Sequence, residues 1–292
     1  MIEINSDELK KIQLDILIDF AKFCDENDIT YYLAGGTLLG AVRHSGFIPW
    51  DDDIDVMMPR NDFEKAVRLY NHKYYRFNYI TNSRDWFEPT GKICDTRTYL
   101  FCDSFKNTEI NEFNCVAIDV CPIDGLPNSE FKQKVLFLLS KVLIAIHSSS
   151  VLTFKVTKRY EDKDAGLLRW KKYFRTAIKY LFICLFGSTN PRFWIKLLNN
   201  VVTKENFYSN NFAAALVSCV HGSKEKMPIE IYEPKVLMDF EGHQFSCPIG
   251  YDYYLKKLYG NYMELPPEEK RQSHHNFKAY WKWENIDENF TR

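Results

Sequence analysis

The sequence predicts an α/β (α+β) fold, with strands and helices alternating through 1–125 and a mainly helical second half. Two patterns carry this. Up to 125 the apolar residues switch repeatedly between the spacing of a helix and the alternation of a strand, and beyond Pro127 and Asn128 long helical patterns take over at 131–147 and 167–186. The composition, 46% hydrophobic and 26% charged, is that of a globular chain with ample core material.

The elements follow in order. Asn5 or Ser6 can cap a first helix, in which Leu9, Ile12, Ile16, Phe20 and Phe23 recur at helical spacing up to Asn27. A short strand over 30–34 is broken by Gly35 and Gly36, and a short helix follows over 37–44. From Asp53 to Met58 acidic and apolar side chains alternate as in a strand, Pro59 stops the run, and 62–70 returns to helical spacing. Further strands are predicted over 76–81, 91–94, 99–102 and 116–121.

Charge excludes one class of partner. The 38 basic and 39 acidic residues nearly cancel, so the chain lacks the global basic footprint that drives nucleic-acid binding. The one locally basic stretch, 155–179, holds nine Lys or Arg against three acidic residues, and reads either as a solvated helix face or as a contact with a membrane surface or anionic acceptor. The polar start MIEINSDELKK has no secretory signal pattern, which points to the cytoplasm. The eight cysteines form no CxxC pair and read as buried thiols. The apolar runs 135–146 and 180–186 are too short to span a bilayer, the first being interrupted by Lys141, so no transmembrane helix is expected.

The chemistry concentrates on Asp51-Asp52-Asp53-Ile54-Asp55. On a strand reaching that far, Asp51, Asp53 and Asp55 point to one side and Asp52 faces away. Such crowded carboxylates oppose one another's ionisation unless a cation neutralises them, and a hard ion such as Mg²⁺ is the natural solution, with Mn²⁺ the alternative. An EF-hand loop is excluded, because its glycine and glutamate positions hold Val56 and Asp62. Gly35 and Gly36 would let a phosphate approach the backbone at a helix N-terminus, with Thr37 adding a hydroxyl. Asp119, set among apolar residues, is the candidate third metal ligand or general base, whereas Asp124 reads as a turn residue. Arg43, His44, Lys92 and Arg97 can neutralise phosphate charge or serve as surface groups, and His274 and His275 are candidates for substrate contact.

The block YYLAGGTLLGAVRHSGFIPWDDDIDVMMPRNDFE resembles the signature of the LicD family of phosphotransferases, in the nucleotidyltransferase-like superfamily. GKICDTRTY, VAIDVCPIDGLP and YLKKLYGNYMELPPEEKRQSHH agree with it. The resemblance implies a nucleotidyltransferase-like mixed sheet flanked by helices. It also implies transfer of a phosphorylated alcohol, typically phosphocholine, from a CDP-alcohol donor to a sugar hydroxyl of a cell-surface glycan or lipid-linked oligosaccharide, with release of CMP. By this resemblance Asp53 and Asp55 are the metal pair, Asp51 stands beside them, Asp119 is the later carboxylate and Gly35-Gly36 the glycine motif. The expected organisation is a catalytic core over 1–128, a helical insertion over 129–212 facing acceptor or membrane, and a C-terminal part over 213–292. Two alternatives remain at this point: nucleotidyl transfer releasing pyrophosphate, and a catalytically inactive glycan-binding protein of the same fold.

Overall fold

Asn5 opens the first helix as its spacing requires, accepting a 2.9 Å hydrogen bond from the Glu8 N–H at Oδ1, with Asp7 and Glu8 favourably placed at the positive helix end. A computed structural model describes residues 1–101, 114–151, 169–271 and 277–282. In it this helix, α1 (Ser6–Glu26), follows a short strand β1 (Ile2–Ile4) and buries Leu9, Ile12, Ile16, Leu17 and Phe20. Their spacing places them on one stripe, which packs on the sheet through β5 (Gly91–Asp95) and β7 (Ala117–Leu126).

The main sheet runs β2 (Tyr32–Leu33), β3 (Asp55–Pro59), β7, β5, β4 (Tyr75–Asn78). Among the described residues only β3 and β7 pair in parallel, so the sheet is mixed. Helix α2 (Gly35–His44) links β2 to β3, and α3 (Arg60–Leu69) packs against β3 and β7. β6 (Thr98–Phe101) belongs to a separate antiparallel sheet with β1 and β12 (Lys278–Trp281), tied to α1 by a 2.8 Å hydrogen bond from Trp281 Nε1 to Glu8 Oε1.

The helical second half is α4 (Glu130–Val151), α5 (Arg169–Phe186) and α6 (Pro191–Val202). α6 begins at Asn190, whose side chain caps it, with Pro191 in the first turn. With α4 it buries a second core of Leu126, Phe137, Leu143, Leu198 and Val202. Strands then return, since β8 (Phe212–Ala214) pairs with the far half of β7 and with β9 (Met227–Pro228), and β10 (Lys235–Phe240) and β11 (His243–Pro248) form a hairpin ahead of α7 (Tyr251–Tyr259).

Two expectations change here. Asp124 lies within β7, not in a turn: the strand continues past Pro122 because β8 supplies its pairing partner, and Asp124 is fully buried. Its carboxylate takes two 2.7 Å hydrogen bonds from Arg60, which Asp124 holds protonated against the opposing effect of burial. The apolar run 135–146 is the middle of a longer helix. α4 has 22 residues and an apolar window of mean hydropathy 1.5, of which 39% is buried, so by length and composition it is long enough to cross a bilayer. Of the eight cysteines, the seven in the described residues are free thiols, most of them buried, and Cys102 lies outside those residues.

Candidate active site

The acidic segment is a loop before it is a strand. Asp51 donates its N–H to the Ile48 carbonyl at 2.9 Å, and Gln13 Nε2 reaches from α1 to the carbonyls of Asp52 (3.1 Å) and Ala117 (3.3 Å), so pairing begins only at Asp55. Strand alternation therefore does not govern Asp51–Asp53, and the expectation that Asp52 faces away is overturned. One carboxylate oxygen from each of Asp51, Asp52 and Asp53 lies within 4.8 Å of the other two, and all three residues are half-buried.

Asp55 and Asp119 are register partners on the parallel strands β3 and β7, and Lys92 on β5 is the antiparallel partner of Asp119. Paired residues share a sheet face, so two carboxylates and an ammonium stand in one row at the strand starts beside the acidic loop. Lys92 Nζ lies 3.5 Å from Asp119 and 3.0 Å from Glu88. Burial opposes the charge on Lys92, yet Asp119 and Glu88 outweigh it and hold the amine protonated. Asp55 is pushed well above the carboxylate range, first by burial and then by Asp53, Asp119 and Asp51.

The glycine pair explains how so many carboxylates fit. A β-carbon on Gly35 would lie 2.6 Å from Asp55 Oδ2, and one on Gly36 would lie 2.5 Å from Asp51 Oδ2. Gly35 also has φ of +52°, a conformation that other residues adopt at a cost. Helix α2 starts at these glycines, two residues earlier than predicted, and its positive end meets the carboxylates. Thr37 is buried and its hydroxyl accepts the Asp55 N–H at 2.8 Å, so it ties the start of β3 to α2.

Other predicted residues are engaged elsewhere. Arg43 donates to the Tyr262 carbonyl at 2.8 Å and to His44 Nε2 at 3.0 Å, and His44 is held below its usual pKa by burial and by Arg43. Arg97 is buried, donating to both Asp95 carboxylate oxygens, with Tyr74, Tyr75 and Trp281 around its guanidinium, which gives it a structural place away from the acidic row. His274 and His275 lie outside the described residues.

Sequence reasoning missed four contributors. Glu88 and Gln13 had no motif to mark them. Tyr254 and Tyr259 lie in the YLKKLYGNY block, whose family match carried the signal without a role. On α7 Tyr254 takes a backbone hydrogen bond from Gly35, and the Tyr259 phenol, raised chiefly by burial, also feels the carboxylates of Asp55, Asp51 and Asp53.

The donor set suits a hard divalent cation. It consists of carboxylate oxygens crowded to the point of mutual repulsion, with glycines where any β-carbon would fill the space, as Mg²⁺ or Mn²⁺ requires.

Residues 28–145 match the family described as LicD/FKTN/FKRP, nucleotidyltransferase domain. Over 283 residues the chain is 31% identical to the lipopolysaccharide cholinephosphotransferase LicD of Haemophilus influenzae, an alignment that spans 94% of this chain and 97% of that protein. Shorter similarities reach uncharacterised proteins of Rickettsia typhi, 36% identical over 76 residues (25% of each chain), and Rickettsia prowazekii, 45% identical over 47 residues (16% of this chain, 18% of that one). With the acidic loop, the glycine pair and the Asp119 strand all inside the matched region and the full-length relative alongside, the chain belongs to the LicD family.

Proposed function

We propose that this protein transfers phosphocholine from CDP-choline to a sugar hydroxyl of a cell-surface glycan, releasing CMP at the cytoplasmic face of the membrane. As a LicD-family member it is a transferase of phosphate-containing groups. The observation that carries the finer reading is the nearly full-length alignment with a lipopolysaccharide cholinephosphotransferase.

Asp51, Asp53 and Asp55, joined by Asp52 or Asp119, would hold a divalent cation, which neutralises phosphate charge when bound. The residues of the chain supply the rest. Lys92, kept protonated by Asp119 and Glu88, offers a fixed positive charge to the diphosphate or to the developing charge at phosphorus. Asp119 is half-exposed at a strand start and can accept the proton of the attacking sugar hydroxyl. Gly35 and Gly36 keep the floor of the site free of side chains, so that the carboxylates can gather there. Attack in line with the departing CMP then needs the acceptor hydroxyl on the far side of the phosphorus.

Incubation of the full chain with Mg²⁺, a panel of CDP-alcohols and candidate glycans tests this, with nucleotide products followed by chromatography. Glycan-dependent CMP release that is fastest from CDP-choline is the expected result. Pyrophosphate release from a nucleoside triphosphate would assign nucleotidyl transfer instead, and glycan binding without turnover would assign an inactive binding protein.

A further inference from the structure

Helix α4 is apolar on both sides. It buries Phe137, Leu143 and Ile146 along with the polar Gln133, Ser140 and His147, and over 131–142 the opposite face exposes Phe131, Val135, Leu138, Leu139 and Val142. At 3.6 residues per turn these five fall within a sector of ~120°. Phe131 is 74% exposed and Leu138 62% exposed. α5 packs against α4 and repeats the pattern, with Phe174 (62% exposed), Ile178, Leu181 (55%) and Leu185 (61%) on one stripe. Isolated exposed apolar residues are ordinary, but two packed helices with continuous apolar stripes mark a surface that another phase or molecule covers.

Charge selects the occupant. The chain as a whole is balanced at a net charge of −1, yet α4, α5 and α6 together carry ten Lys or Arg and a single acidic residue, Glu130. Lys132 and Lys134 are exposed and flank the α4 stripe, where long side chains can keep their ammonium groups in the headgroup layer while the apolar face is buried. A second copy of the same surface would bring two basic faces together and is disfavoured by repulsion. An anionic surface with an apolar interior satisfies both features.

We propose that α4 and α5 form a docking surface for an anionic lipid bilayer, on which the protein lies with the two apolar stripes at the level of the headgroups. The basic segment singled out in the sequence contributes through α5, and its part over 155–168 lies outside the described residues. The stripes and the charge bias stand independently of the reaction. Their purpose, bringing the site to a lipid-borne glycan, rests on the reaction proposed above.

The test is flotation of the full chain with vesicles of phosphatidylcholine alone or phosphatidylcholine with phosphatidylglycerol, at low and high salt, beside CMP release with a water-soluble glycan. Binding at least ~10-fold tighter to the anionic vesicles and weakened by salt is expected. The double variant Leu138→Glu/Leu181→Glu should lose vesicle binding while keeping its melting temperature and soluble-glycan activity. Lys132→Glu/Lys134→Glu, which leaves the apolar stripe intact and cannot disturb the core, should weaken binding to anionic vesicles alone. Equal binding to both vesicle types, no binding to either, or a dimer that Leu138→Glu/Leu181→Glu dissolves would overturn the proposal. Failure of CMP release with vesicle binding intact would count against the reaction and leave the docking surface standing.

Discussion

Asp55 and Asp119 face each other across the parallel strand pair β3 and β7, with Lys92 opposite Asp119 on the other side. Because burial and the neighbouring carboxylates raise the Asp55 pKa above its unfolded value, its contribution to stability is present at low pH and lost as pH rises through the folded value. In the absence of metal, Asp55→Asn should therefore raise the melting temperature at neutral pH while lowering CMP release by ~10²-fold or more. Mg²⁺ should raise the melting temperature of the wild type and not that of the variant. Near-normal turnover in a folded Asp55→Asn protein would remove this residue from the site.

The glycine pair makes a second prediction. In Gly36→Ala the new methyl meets Asp51 Oδ2, so the acidic loop must shift. Weaker Mg²⁺ binding by isothermal titration, by ~10-fold or more, is expected together with a smaller loss of stability, since only a loop and not the core must give. Gly35→Ala adds the cost of its left-handed backbone, ~1–2 kcal/mol, and should be the less stable of the two. Unchanged Mg²⁺ affinity in both would show that the carboxylates near them do not bind the ion.

Arg60 and Asp124 form a fully buried pair between α3 and β7. Arg60→Met leaves the Asp124 charge without its partner and should cost ~3–5 kcal/mol in urea unfolding. A loss below ~1 kcal/mol would mean that solvent reaches the pair.

Glu225 is buried beside the α7 tyrosines and accepts the His221 N–H at 2.9 Å, and burial raises its pKa to about 7. The folded protein therefore holds a proton that the unfolded chain releases near its ordinary value, so the stability Glu225 contributes is complete below that value and falls as pH rises towards about 7. Glu225→Gln should abolish this dependence and be more stable than the wild type at pH ~8 by up to ~3 kcal/mol, with little gain at pH ~4. Melting curves across that range check it, and parallel curves for the two proteins would reject it.

Much was legible before folding. The spacing of Leu9 to Phe20 and the Asn5 cap specify α1 because a helix writes its buried face directly into local periodicity, and β3 and β7 are equally readable from their apolar alternation. The acidic loop, the glycine pair and Asp119 could be picked out because each needs a particular residue type. Strands β8 to β12 were not read, since short strands gain their stability from partners distant in sequence.

The sequence by itself determined the alternating strands and helices of the first half, the family and the carboxylates of the candidate site. Only the tertiary structure decided how those residues are used. Gln13 holds Asp52 within the acidic cluster, β8 turns Asp124 from a turn residue into the buried partner of Arg60, and Asp95 holds Arg97 in a buried ion pair. The same holds for α4, whose apolar run reads only as too short to span a bilayer until the full helix and its neighbours show which side stays exposed. In each case the deciding partner lies far along the chain, and a carboxylate, guanidinium or apolar stripe takes its role from the charge and burial that such partners impose.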